Sequence, residues 1–332
     1  MNTRPSFRRS PIPEQEPAAI SSPAEFAASA GAPEGRGFAD PRILFSFILV
    51  TLIWGSTWIV IKDQLGIVPP TWSVTYRYVI ACAAMFVIAR FSGGSLGIGR
   101  NGHLLAALIG FPQFFLNFNF VYAAEHYITS GLAAVVFALL LVPNSALAWI
   151  FFKHRVTAAF GIGSGIAIVG VALLFVQEMR HSIATPREVA IGIGLTFLGV
   201  LSASIANVMQ VSGAMRSRPI AVMLAWAMFY GVLFNFAFAW ATQGPPVIEY
   251  RFGYWLGLAY LGVLASALAF TLYFGIIRAV GPGRAAYSSV LVPIIAMGLS
   301  TLFEGYRWAT LAIAGGVVAL TGLVIALKAR KA

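Results

Sequence analysis

Trp54, Ser56, Thr57 and Trp58 interrupt an otherwise apolar run, LIWGSTWIVIK, between Leu52 and Lys62. At helical spacing Trp54, Thr57, Trp58 and Ile61 share one face, while Gly55 and Ser56 give the backbone a thin side that a neighbouring helix can approach. A tryptophan near a helix end commonly anchors at the membrane surface, a role that suits Trp58. Trp54 stands near the middle of the run, where its indole N–H needs a partner. Amides repeat the theme: Gln113 and Asn117 fall one helical turn apart, as do Asn207 and Gln210, the latter pair close to Ser204. Unpaired amides in hydrocarbon cost several kcal/mol, so these faces must turn inward, to bond between helices or to line a polar interior. Tyr78, Trp226, Tyr230, Tyr260, Tyr273 and Tyr287 add rings with a polar tip, and Trp226 and Tyr230 share a face. Helix packing is the competing use of such a stripe. If it lines a cavity, ring walls with a few amides and hydroxyls suit a neutral amphipathic solute with an apolar side chain, amino acids above all.

Covalent and metal chemistry find little to work with. His103, His126, His154 and His181 are scattered, and Cys82 is the lone cysteine, inside an apolar run. No metal site, cofactor or disulfide is expected, and without a nucleophile and base at depth no enzyme is expected either. A retinal-type sensor would need a mid-span lysine, whereas Lys62 sits at a span end. Arg77 is the one charge clearly inside a span; it is a functional candidate, or it snorkels to the surface from near its helix start. Glu125, Asp63 and Glu304 fall at helix ends. With no carboxylate at depth to relay protons, uniport is the expectation over proton coupling.

The elements that position these residues follow from composition. The chain is 59% apolar and only 10% charged, with a mean hydropathy of +0.83; soluble domains carry about 25% charge. This is the signature of a polytopic membrane protein. Ten apolar runs, at 43–62, 72–91, 103–124, 129–151, 157–177, 188–212, 219–242, 252–276, 283–303 and 308–328, are each long enough to cross about 30 Å of hydrocarbon as a helix. The net charge of +11 is dispersed over loops and tails, a topology signal and no phosphate-binding face, so the expected partners are lipid and a small-molecule substrate, with no nucleic acid. Arg36, Arg42, Arg90, Arg100, Lys153, Arg155, Arg216, Arg218, Arg278, Arg284, Lys328, Arg330 and Lys331 fall on one side; Lys62, Arg180, Arg187, Arg251 and Arg307 fall on the other. The richer side is cytoplasmic, which places both termini there, in a plasma or inner membrane. Residues 1–40, rich in Pro, Ala, Ser and Gly, read as a disordered tail, part of which a mis-assigned start codon would also explain.

The chain also echoes itself. GLAAVVFALLLVPNSALAWIFFKHRVTAAFGIGSG at 131–165 parallels GRAAYSSVLVPIIAMGLSTLFEGYRWATLAIAGG at 283–316, and Pro143 and Pro293 each stand 22 residues before a glycine, Gly165 and Gly315. Five spans is an odd number, so a second copy must lie inverted with respect to the first. The expected architecture is all-α: ten transmembrane helices as a 5+5 inverted repeat, 41–180 and 181–332, around a central cavity. Pro143, Pro282 and Pro293 are candidate hinges. The Gly161, Gly165, Gly315 and Gly316 faces suit close packing, within the chain or between protomers.

With IWGSTW at 53–58, Tyr-Arg-Tyr at 76–78, YAAEHYITSGLAA at 122–134, the two Val-Pro pairs and Glu304 after LSTLF, the sequence resembles the EamA-type transporters of the drug/metabolite transporter superfamily. The resemblance implies ten helices around a central cavity and the movement of small metabolites, often outward. The aromatic-rich, charge-poor spans are similar to the amino-acid exporter branch; nucleosides, sugars and drugs, with proton coupling, are the alternative cargo. The sixth span lacks the tryptophan motif of the first, which argues against a site shared equally by both halves.

Overall fold

The structure is a computed structural model that describes residues 40–93, 95–152, 157–181, 185–210, 215, 218–280, 288–306 and 308–329. The tail expected over 1–40 therefore lies outside the described residues apart from Asp40, as do Pro282 and Tyr287 and the side chain of Gln210.

Asp40 starts the first helix, α1 (Pro41–Asp63): its carboxylate accepts the Arg42 N–H at 2.9 Å, and Pro41 occupies a position where no N–H is needed. Pro70 opens α2 (Pro70–Phe91) in the same way. The rods that follow are α3 (Gly99–Ala124), α4 (Ser130–Phe151), α5 (Ala158–His181), α6 (Pro186–Gln210), α7 (Ile220–Gln243), α8 (Phe252–Tyr273), α9 (Ser288–Phe303) and α10 (Thr310–Ala329). Among the described residues the regular structure is helical, and the first eight rods are long and apolar enough to cross a membrane. α9 and α10 are apolar but shorter over the residues described. Gly244 ends α7 at φ +73°, a conformation that costs glycine little.

Three rods are irregular where neighbours press on them. α3 widens to a π-helix over Phe111–Leu116 and α8 over Tyr260–Leu268, each next to a point of close backbone approach. A Cβ on Gly110 would stand 2.3 Å from the Ala227 carbonyl of α7, and one on Gly262 would stand 3.0 Å from the Arg77 carbonyl of α2. π-Helical turns are rare and concentrate at functional sites. α4 breaks at Leu139 and Leu140, where bonds from Leu140 to Phe137 and from Val142 to Leu139 tighten the turn. Pro143 accounts for the break: it has no N–H to offer Leu139, and its ring would collide with that carbonyl in a regular helix. Pro293 instead lies inside a continuous α9.

α5 packs along α10, α2 along α7 and α4 along α9, while α1 packs on α8 and α9 as α6 packs on α3 and α4. Within the chain, the α5–α10 seam takes only Gly315 of the expected glycines. Gly163, Gly170, Gly315 and Gly322 form it, with a Cβ on Gly170 reaching 2.2 Å from the Ala319 nitrogen; Gly161, Gly165 and Gly316 face open space.

Candidate functional site

Trp54 finds the partner that its depth demands. Its Nε1 donates to the Ala265 carbonyl at 3.2 Å, within the π-helical segment of α8, and its ring packs on Phe270 and Tyr273 at 5.6 and 4.9 Å. Ser56, two residues on, meets the Tyr260 hydroxyl at 2.6 Å, and that hydroxyl reaches the Ile53 carbonyl at 3.2 Å. Thr57 turns back on its own helix and donates to the Trp54 carbonyl. The opening motif is therefore a polar seam between α1 and α8, and Trp58 does not take the expected surface role: it is buried against Phe137 of α4.

From this seam a chain of rings runs inward. Phe270 lies 5.9 Å from Phe114 of α3, and Phe114 lies 5.2 Å from Tyr78 of α2. Next to Tyr78 stands Arg77, only 2% exposed, which excludes snorkelling. Its Nε and Nη2 both donate to the Ser266 hydroxyl at 3.3 Å, and Phe118 lies under the guanidinium at 4.3 Å. Ser266 can serve because the widened turn lets it donate to Leu261, five residues back, while it accepts from Arg77. Among the described residues no partner meets Arg77 Nη1 or the buried Tyr78 and Tyr122 hydroxyls with full hydrogen-bond geometry, although Tyr122 neighbours Arg77 and Tyr78 neighbours Ser266.

Glu125, immediately after α3, is fully buried, and among the described residues neither of its carboxyl oxygens receives a hydrogen bond. Glu125 thus stands at the end of a span, as the sequence places it, but is sealed inside the protein. Three elements close over it: Lys62 from α1 donates to the Glu125 and Ile128 carbonyls, and Glu304, after α9, accepts from the Ser130 N–H and hydroxyl. Burial raises the carboxyl well above its ordinary range; Lys62 pulls it down, Glu304 pushes it up and Arg77 pulls it down. Outside this cluster Arg251 bridges Asp63 at 3.0 Å and Glu249 at 2.7 Å.

The remaining expected residues are spread over the bundle. Gln113 and Asn117 are buried in α3, with Asn117 against Gly199 of α6. Asn207 reaches Asn144 of α4 at 3.5 Å, the outer limit of a hydrogen bond. Trp226 and Tyr230 lie at the opposite end from Lys62, with Trp226 Nε1 on the Leu96 carbonyl at 2.8 Å and Tyr230 on His103 at 3.2 Å. Sequence reasoning passed over Asn235, which is fully buried and ties α7 to Asn119 and the Phe114 carbonyl. It also passed over the Phe118, Tyr122 and Glu125 face, although spacings of four and three residues were there to be read. A cavity of about 380 Å³ opens between α4, α5 and α6; its lining, including Val136, Val171, Phe175 and Phe197, is apolar and contains none of the residues above.

The model of the EamA-like transporter family matches this chain twice, over residues 41–176 and 190–328. The chain belongs to the EamA-like transporter family. Protein PagO of Salmonella typhimurium is 24% identical over 86% of this chain and 92% of its own length. An Escherichia coli K12 protein named "Probable amino-acid metabolite efflux pump" is 25% identical over 86% of this chain and 95% of its own. A crystal structure at 16% identity shares the fold, with a TM-score of 0.64 over 87% of this chain and 98% of that one. The EamA-like fold is thus carried by a multi-pass membrane protein whose family moves small molecules across bilayers.

Proposed function

We propose that the chain is an inner-membrane secondary transporter that exports small amphipathic metabolites, hydrophobic or aromatic amino acids foremost, by alternating access. Ten crossings form two inverted five-helix repeats, 41–180 and 181–332, with both termini in the cytoplasm. The helix pairing supports this reading, because replacing each helix by the one five places on turns the α1–α9, α1–α8 and α3–α7 contacts into α6–α4, α6–α3 and α8–α2, all of which occur. The double match to the family model falls on the same two halves.

One observation carries the choice of cargo: the ring chain from Trp54 through Phe270 and Phe114 to Tyr78 ends on a buried guanidinium. An apolar wall that ends in a charge fits a solute with an apolar side chain and a polar head. Trp54, Ser56, Thr57, Tyr78, Gln113, Asn117 and Tyr260 surround this interior in our reading. Asn207, Gln210, Trp226, Tyr230 and Tyr287 act nearer the cytoplasmic end. Pro143, at the break in α4, is the foremost hinge, and Pro282 and Pro293 are the further hinge candidates. Glu125 lies at the end of α3 and not mid-span, which keeps uniport as the first reading; in the proton-coupled alternative this buried carboxyl would be the group that carries the proton. Counterflow in proteoliposomes with labelled amino acids, nucleosides and sugars tests the cargo; uptake of leucine or phenylalanine supports it, and uptake of sugars or nucleosides alone rejects it.

A further inference from the structure

We infer that Arg77 and Glu125 are the two poles of a site for a zwitterion: Arg77 takes a carboxylate, Glu125 takes an ammonium, and the rings beside them receive the apolar remainder. This rests on the transporter reading above and narrows it to solutes that carry both charged groups.

Both poles are buried and lack a charged hydrogen-bond partner. Arg77 spends two donors on one neutral hydroxyl, and among the described residues only the neutral Tyr122 hydroxyl neighbours its remaining donors, with no acceptor meeting Nη1 in full geometry. Both Glu125 oxygens are without donors. A buried ion that lacks a partner is strongly unfavourable, and the cheapest way to relieve two of opposite sign is to bring them together. They have not come together: among the described residues the ion pairs are those of Arg251 with Asp63 and Glu249. The fold instead holds the poles apart along one face of α3, with Arg77 over Phe118, Tyr122 one turn on and Glu125 beyond it. Phe118 and Glu125 are separated by about 10 Å of helical rise, and Arg77 acts electrostatically on both Tyr122 and Glu125. Tyr122, between Phe118 and Glu125 in the chain, interacts with both Arg77 and Glu125.

Charge balance selects the guest. The groups that face Glu125 are Lys62 from α1, Arg77 from α2, Tyr122 from α3 and Glu304 from the end of α9, with His126 next to it in the turn. Lys62 is occupied by backbone carbonyls and Glu304 by Ser130. With Glu125 ionised, as an incoming ammonium would favour, the two cations and two carboxylates among these described groups cancel. An anion or a cation alone would add net charge to a low-dielectric interior, whereas a zwitterion adds none and satisfies both poles. Sugars and nucleosides satisfy neither.

The test uses full-length protein in proteoliposomes and, for binding, thermal stabilisation in detergent. Phenylalanine and leucine are compared with their amides, their N-acetyl derivatives and the matching monocarboxylates, and with a nucleoside and a sugar. The free amino acids should compete at least tenfold better than either derivative. Arg77→Gln should abolish the preference for acid over amide and keep the preference over the N-acetyl form; Glu125→Gln should do the reverse. Arg77→Lys and Glu125→Asp should restore part of each. If Arg77→Gln does not fold, Ser266→Ala, which frees the guanidinium from its holder, should weaken the acid preference.

Equal competition by amide or N-acetyl derivative, or unchanged discrimination in folded variants, overturns the proposal. So does a monocarboxylate that outcompetes the amino acid, which would leave Glu125 as a proton carrier only. Transport confined to the nucleoside or sugar defeats this site and leaves a transporter standing; no transport or stabilisation by any compound defeats both.

Discussion

The α5–α10 seam and the interior between α1, α2, α3 and α8 use their residues in opposite ways. In the seam, glycines bring two backbones together so closely that a methyl group on Gly170 or Gly322 would fall 2.2 Å from a backbone nitrogen. Nothing polar from a side chain is needed there, and dispersion between close backbones holds the pair. The interior instead buries a guanidinium, a carboxyl and tyrosine hydroxyls whose hydrogen-bonding capacity the protein leaves unused. A fold keeps such groups where function requires them and offsets their cost elsewhere. In the proposed reading, the difference separates residues that hold the bundle together from residues that act.

Substitutions at the two regions should accordingly differ in kind. The largest effect belongs to the seam: Gly170→Leu has backbone atoms in its way and should cost about 3 kcal/mol or more, seen as loss of monodisperse protein in detergent. In the interior the expected signature is pH. Burial raises the Glu125 carboxyl above its unfolded value, so the folded state holds the proton more tightly. That contribution is complete below the ordinary carboxylate pKa of about 4.3 and is lost as pH rises towards the folded value, by about 1.4 kcal/mol per pH unit. Thermal unfolding from pH 5 upward should show this decline, and Glu125→Gln should flatten it; a wild-type profile as flat as the variant's would erase the contrast. Ser56→Ala removes the 2.6 Å contact with Tyr260 and should cost about 1 kcal/mol in stability, with transport falling several-fold. Equal stability and equal transport would reassign that seam to packing. Gly165→Ala, which faces open space, should move the melting temperature by the equivalent of no more than about 1 kcal/mol and serves as the control for Gly170.

Much of the bundle was legible in the chain. Runs of apolar residues declare helices because hydrocarbon leaves the backbone no other way to satisfy its polar groups, and the rods fall close to the expected spans. The glycine faces show where that legibility stops. Glycine composition announced close packing, but Gly163 and Gly170 differ from Gly161 and Gly165 only in rotation about the helix axis, which only the partner helix resolves.

Sequence by itself determined the solvent, the helices, the echo between halves and the need for Trp54 to find a hydrogen-bond partner, because each follows from local composition and the period of one helix. Tertiary structure alone decided that Arg77 lies inside, that Ser56 meets a tyrosine 204 positions away, and that Glu125 is sealed from water. Glu125 sits at a helix end, where sequence reads an exposed carboxylate. Its burial depends on Lys62, Ser130 and Glu304 arriving from separate elements, and no local pattern encodes that meeting.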